Sequence, residues 1–407
     1  MIGAQTDTEL DVDLLRRETP GAELVTHLNN AGAALMPAPV VDAMTEQLRL
    51  EATMGGYEAA ERNEAALREP YRAIARLIGC RPDDVAITES ATQAWSRAFY
   101  AIPFRPGDRI LASAEEYGSN YLSLLRVAER SGATVEILPQ DEFGRVSAEA
   151  LRATLDERVR AVVVTHVPSH TGIVNPIAEI GAVAREFGAL YLVDACQSAG
   201  HLPIDVAEIG CDFLSACGRK YLRGPRGTGF LYAKPSALDR VDPAMVGLDG
   251  ARWLGGTRYE LASGAQRFET WEVNAAAKLG LGVAVNYALA LDPARTWART
   301  ARLADHLRLA LAAVPGVQLL DRVDERNDLC GIVGFLVHGH TSERLRAALS
   351  ALRINVWVCL ANAACVAMES RQLGQALRAS VHYYNTVEEI DQFCGRLRDI
   401  VVGTGEA

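Results

Sequence analysis

Two neighbouring stretches, ALYLVDACQSAGH (residues 189–201) and DFLSACGRKYLRGPRGTGFLY (residues 212–232), decide how the whole chain reads. Ala189–Val193 is a short apolar run with β-branched and aromatic residues, the pattern of a buried strand. It ends in Asp194, which places a carboxylate at the strand's carboxyl end, where open α/β sheets bind ligands. A second apolar stretch, Phe213–Ala216, leads into Gly218-Arg219-Lys220. The turn-rich run Gly224-Pro225-Arg226-Gly227-Thr228-Gly229 then delivers the chain to another strand, Phe230–Ala233.

Taken singly, Asp194 reads as a turn cap and Lys220 as a solvated loop lysine. Together on neighbouring strand ends, with Gln197, His201 and the glycine run in this order, they suit pyridoxal 5′-phosphate (PLP). That cofactor needs a lysine amine to hold its aldehyde and an anion to keep its ring nitrogen protonated. A neighbouring cation such as Arg219, with partial burial, would lower the lysine pKa so that it can act as a base. The run GPRGTG is not a nucleotide loop. A dinucleotide fingerprint follows a strand and opens a helix, and a Walker loop ends in GK[ST].

With these motifs in view, the sequence resembles the class V aminotransferase family of fold-type I PLP enzymes. That family includes cysteine desulfurases, isopenicillin N epimerase-like proteins and ergothioneine C–S lyases. The resemblance runs from about His27 to the C-terminus and is strongest in VDACQSAGH, GRKYLRGPRGTGFLY and LRASVHYYNTVEEID. It implies an α/β fold with a mostly parallel, seven-stranded-type sheet flanked by helices, plus a small α+β domain. It also implies a homodimer whose active sites are completed at the interface.

Composition agrees with a large enzyme. The 407 residues are 49% hydrophobic, enough to bury a sizeable core. A net charge of −10 argues against nucleic acid or an anionic membrane as partner. No apolar run reaches transmembrane length. The polar, acidic N-terminal stretch is unlike a secretory or transit peptide, so the chain reads as cytoplasmic. Eight scattered cysteines without CxxC spacing read as reduced core thiols rather than a metal site.

Outward from the centre, repeated strand–helix units indicate a parallel sheet with helices on both faces. The expected organisation is an arm over 1–20 packing with the small domain, a large domain over 21–265, a linking loop and long helix over 266–292, and a small domain over 293–407. Val85–Ile87 is a strand running into Thr88-Glu89-Ser90-Ala91-Thr92 and a helix, a good phosphate site because backbone N–H groups and the helix dipole face the anion. Ser90 or Thr92 as a plain N-cap is compatible with that role. The region 243–266 is irregular and glycine-rich and reads as a loop.

The resemblance assigns further roles. It places the cofactor phosphate at Ala91 and Thr92 and a ring-stacking aromatic at Tyr117, whose plainer reading is a core tyrosine near a loop. Gln197 matches the residue that bonds the phenolic oxygen, and Ser169 stands where desulfurases carry asparagine. Arg219 matches a phosphate contact, and Cys217 reads as packing. Asn30 belongs to an opening segment that lines the mouth. Glu272 replaces a common threonine, which leaves backbone contact to a phosphate near Asn274. Arg378 matches the arginine that grips the substrate carboxylate. His170, in a Ser-His pair like that of the ergothioneine C–S lyases, joins the substrate side. Ser169, His170 and Asp194 could also spell a hydrolytic triad, but no GxSxG elbow accompanies them.

The implied reaction is α-proton abstraction by Lys220 followed by β-elimination from cysteine or an S-substituted cysteine. A class V aminotransferase or epimerase would share these residues. A desulfurase would need a reactive thiol, with Cys359 or Cys365 as the candidate. Their surroundings, INVWVCLANAACVAMESRQ, lack the His-His-Cys setting and are apolar, which favours an inert thiol.

Overall fold

The computed structural model describes residues 10–322 and 329–403. Its large sheet has seven strands in the order Val85–Thr88, Gly229–Ala233, Phe213–Cys217, Leu190–Asp194, Val159–Thr165, Arg109–Ala112, Thr134–Ile137. Neighbours pair in parallel except Gly229–Ala233, which runs antiparallel to the strands on both sides. The connection before that strand carries no helix. It therefore cannot make a parallel crossover, and the chain turns straight back.

Strand periodicity divides the sheet's side chains between two apolar layers. Val162, Val164, Tyr191, Val193, Leu214 and Phe230 enter one core; Ala161, Val163, Leu190, Leu192, Phe213 and Leu231 enter the other. Helices cover both faces, so every residue of the Leu190–Asp194 and Phe213–Cys217 strands is buried. Burial of both faces explains why these strands read as continuous apolar runs.

The helix Ala275–Ala290 leads to a smaller unit. There a four-stranded antiparallel sheet runs in the order Val317–Leu319, Ile332–Val337, Gln375–Ser380, Trp357–Leu360. Helices Pro293–Ala312, Ser342–Ala351 and Val387–Gly403 accompany it. Leu303, Leu307, Val333, Phe335, Leu377 and Phe393 form its core. The N-terminal segment ties into this unit. Thr26–His27 pairs in parallel with Ile354–Asn355, and Arg16 of the helix Val12–Arg17 meets Glu389 at 2.9 Å.

One expectation is corrected. Residues 243–266 are not a plain loop but contain an antiparallel hairpin, Ala251–Gly255 with Arg258–Leu261. Gly256 and Thr257 make its turn, with Gly256 at positive φ. Most of its side chains face solvent, so it lacks the alternating burial by which a strand is recognised. No helix among the described residues is long and apolar enough to cross a membrane.

Candidate active site

A recess of about 670 Å³ opens at the carboxyl ends of the central strands. Ala91, Thr92, Tyr117, Ser169, Asp194, Gln197, Arg219 and Lys220 all line it, so eight residues spread over about 130 positions of sequence converge on one space. Asp194 ends its strand, while Lys220 lies three residues past the end of the next. The chain holds three lysines. Lys220 lines this recess, whereas Lys278 bonds the Tyr71 hydroxyl and Lys234 lies at the outer end of a strand.

Local folding fixes both groups. Gly224 N donates to the Gly218 carbonyl at 2.7 Å and Arg223 N to that of Lys220 at 2.9 Å, closing the lysine loop on itself. Arg223 is fully buried, at positive φ, and anchors this loop to distant parts of the chain. Its guanidinium bonds the Leu35 carbonyl at 2.8 Å and the Tyr383 hydroxyl at 3.0 Å, and lies 4.5 Å from the Tyr384 ring centroid.

Asp194 Oδ2 accepts from Asn120 Nδ2 and Oδ1 from Cys196 N, each at 2.8 Å. Behind it lies a second buried carboxyl, Glu116, which accepts from Ser113 Oγ at 2.6 Å and more weakly from Asn120 at 3.4 Å. Burial pushes Glu116 up to about 7, and the nearby Asp194 charge adds to the rise. Sequence reasoning missed Asn120 and Glu116. A signal for Asn120 existed, because it lies three residues beyond Tyr117 and so shares its side of a helix start.

One wall of the recess is the start of the helix Ala91–Tyr100. Ser90 caps it through Gln93 N, which leaves the amides of Ala91 and Thr92 without a partner inside the helix. Gly229 lets the backbone come close here. A Cβ at that position would lie 2.5 Å from Ser90 C and 2.6 Å from Ala91 N. Gln197 donates to the Ala31 carbonyl at 3.1 Å, while its buried Oε1 has no partner among the described residues. An anion-ready helix start, an unsatisfied acceptor, a lysine and a carboxylate in one recess fit PLP.

Arg378 is buried between the two units, with its Nη groups on the Ser169 carbonyl (2.6 Å) and Asn29 Oδ1 (2.8 Å) and its Nε unpartnered among the described residues. Tyr117 is 39% exposed, so its ring is free to stack on a ligand rather than buried in a core. The Arg219 guanidinium bonds the Gly32 carbonyl.

Three assigned residues lie elsewhere. Asn30 is fully buried and its amide is occupied by the Ser380 carbonyl at 2.7 Å, by His27 and by Asn385. Its neighbour Asn29 is the one that faces Arg378. His170 does not line the recess itself; it is buried behind Glu115, a recess-lining carboxylate 3.0 Å from its Nε2 that also meets Arg371 at 3.1 Å. With His170 there and Asp194 held by Asn120, no Ser-His-Asp triad forms. Asn274 caps the helix Ala275–Ala290 and lines an adjoining cleft, with Tyr57, Trp271 and Glu272, that meets the recess at Glu89, Gly227 and Thr228.

The thiols near the substrate side differ in access. Cys359 is buried with Sγ 3.8 Å from the Ser169 carbonyl oxygen, and desolvation raises its pKa. Cys365 is half-buried at the start of the short helix Cys365–Ser370, with Sγ 3.6 Å from the Asn362 carbonyl oxygen. Neither lines the recess.

Residues 26–393 match the family described as aminotransferase class-V. A probable cysteine desulfurase of Methanothermobacter thermautotrophicus is 31% identical over 397 residues, 96% of this chain and 98% of the relative. The apo cysteine desulfurase of Thermococcus onnurineus NA1 superposes with a TM-score of 0.89 at 25% identity, over 99% of this chain and 100% of that one. A variant of C-DES with glycine covalently linked to its PLP cofactor superposes at 0.84 with 25% identity, over 94% and 99% of the two chains. C-DES is described as a cystine C–S lyase.

Proposed function

This chain belongs to the aminotransferase class-V family, and from that premise we propose a PLP-dependent lyase that cleaves the C–S bond of cysteine or an S-substituted cysteine. The observation that carries the reading is the convergence of Lys220 and Asp194 on one recess that is also lined by Ala91 and Thr92, whose helix-start amides have no partner inside the helix. Bound there, PLP would supply an electron sink for charge on the substrate α-carbon. Lys220 holds the cofactor and its Nζ then takes the substrate's α-proton. Asp194, aimed by Asn120 and the Cys196 amide, supplies the anion for the ring nitrogen. The Ala91 and Thr92 amides and Arg219 hold the phosphate, Gln197 and Ser169 face the ring's polar edge, and Tyr117 stacks on it. Arg378 exchanges its two protein contacts for the substrate carboxylate, a bidentate match.

Elimination is favoured over persulfide transfer because Cys359 is sealed against a carbonyl and its thiolate is disfavoured by burial. The desulfurase reading keeps one specific support, the half-exposed Cys365, beside the names of the relatives. Cysteine, cystine and a cysteine S-conjugate, assayed separately, distinguish the reactions. Pyruvate with a released sulfur species is the expected result. Alanine with a protein persulfide, lost in Cys365→Ala or Cys359→Ala, would mean a desulfurase. A new keto acid with an amino donor, or racemised substrate, would mean an aminotransferase or epimerase.

The same reading includes a homodimer and a cytoplasmic enzyme. Exposed Tyr57, Trp271 and Val273 around the cleft that adjoins the recess give a second copy an apolar surface to cover. Eight unbonded thiols suit a reducing compartment. Sedimentation of the purified protein should give a dimer mass, and Trp271→Glu should give a monomer.

A further inference from the structure

The recess that holds Lys220 also holds two thiols that the proposed chemistry does not use. Cys196 lies two residues beyond the strand Leu190–Asp194, and Cys217 ends the neighbouring strand. The parallel register sets Val193 beside Leu214 and Asp194 beside Ser215. Ala195 N donates to the Ser215 carbonyl at 2.8 Å, so that register continues and brings Cys196 beside Cys217. Cys217 Sγ is 4.0 Å from the Cys196 carbonyl oxygen, which sets the two residues side by side. Cys217 Sγ thus already reaches the Cys196 backbone, and a disulfide would ask the two Cβ atoms to come to roughly 3.5–4.5 Å. Both side chains line the recess, so a small polar oxidant can reach them.

The electrostatics favour reaction. The neighbouring Cys196 thiol, with Lys220 and Arg219 nearby, lowers the Cys217 pKa, while Cys217 and burial raise that of Cys196. Of the two, Cys217 is the one whose thiolate is favoured, and a thiolate beside a thiol is the combination that thiol oxidation needs. Cys80 and Cys211, by contrast, are both raised by burial and line neither the recess nor the cleft.

We propose that Cys196 and Cys217 form a redox-sensitive dithiol in the cofactor recess, which a hydroperoxide converts to an intramolecular disulfide. The Cys217 thiolate attacks one peroxide oxygen, the O–O bond breaks, and hydroxide leaves with a proton as water. Cys196 then attacks the resulting sulfenic sulfur, forms the S–S bond and expels hydroxide, which takes the Cys196 proton. Two electrons pass from the two sulfurs to the peroxide. The Cys196 amide holds Asp194, and Lys220 follows Cys217 by three residues, so closing the S–S bond to about 2 Å disturbs both groups. Oxidised protein therefore takes up PLP more weakly, and bound PLP shields the pair. This last consequence rests on the PLP reading; the crosslink does not.

The test treats cofactor-free and PLP-loaded protein with hydrogen peroxide, blocks remaining thiols, and digests with a protease that cuts before aspartate. That digestion separates Cys196 in peptide 194–204 from Cys217 in peptide 212–238. The expected result is a joined species about 2 Da lighter than the two thiol peptides combined, reversed by dithiothreitol and missing in Cys196→Ser and Cys217→Ser. Saturating PLP should slow its formation about tenfold or more. Two separately alkylated peptides, or disulfides that join either residue to another cysteine, would overturn the dithiol, and this readout on the unmutated protein does not depend on the variants folding. A crosslink that forms equally fast with and without PLP would uphold the dithiol and overturn its shielding by the cofactor. Failure of PLP to bind reduced protein at all would instead count against the function proposed above.

Discussion

Replacing Glu116 by glutamine should stabilise the protein by an amount that is absent near pH 4, grows as the pH rises, and is complete above pH 7. Glu116 is a 2%-exposed carboxyl that shares Asn120 with Asp194, and burial raises its pKa from the ordinary 4.5 to about 7. In the unfolded chain it loses its proton near 4.5, but in the fold it keeps that proton to about pH 7. Between those values the folded state binds more protons, so stability falls as pH rises, by about 3 kcal/mol in all, and levels off above pH 7. Glutamine imitates the protonated form and carries no such cost. For a chain of this length about 3 kcal/mol corresponds to roughly 3 °C in the thermal midpoint. Scanning both proteins from pH 4 to 8.5 should show superimposable midpoints at the acid end and Glu116→Gln higher by that margin at pH 8. A constant offset across the range would refute the reasoning, because it would mean that Glu116 does not titrate between 4.5 and 7 in the fold.

Gly229→Ala should weaken PLP uptake about tenfold, seen by titrating the cofactor-free protein, since its methyl group would collide with Ser90 and Ala91 at the phosphate cradle. Arg223→Lys should cost about 3 kcal/mol in urea unfolding, because lysine cannot reproduce the bonds to Leu35 and Tyr383 or the stacking on Tyr384 from one buried position. Arg378→Lys should raise KM for the amino-acid substrate about tenfold or more, with a smaller change in kcat, because a point charge replaces a bidentate fork. Cys359→Ala should keep turnover near the parent level, and loss of sulfur release in that variant would revive the desulfurase alternative.

The central strands of the large sheet were legible because burial on both faces leaves them continuously apolar, and Asp194 and Lys220 because each follows such a run. Ala91 and Thr92 announced themselves through the strand-to-helix junction. The exposed hairpin at 251–261 was hidden because neither face is buried, so no alternation marks it. The choice between Asn29 and Asn30 was equally hidden. Both are asparagines in one turn, and only the packing of that turn against Ser380 and Asn385 decides which side chain is consumed by backbone and which meets Arg378. His170 was misplaced because its partner Glu115 is 55 positions away and the pairing leaves no local trace. Glu116 and Asn120 escaped because a buried carboxyl and its amide bridge look like ordinary helix-start residues until the fold brings Asp194 beside them.

Lys220 is the residue proposed to hold the cofactor, and hydride reduction tests that role directly. Protein incubated with PLP, reduced with borohydride, digested and mapped by mass spectrometry should carry a phosphopyridoxyl group on Lys220. The three lysines of the chain make the assignment unambiguous. A group found instead on Lys234 or Lys278, or no group at all, would contradict the account.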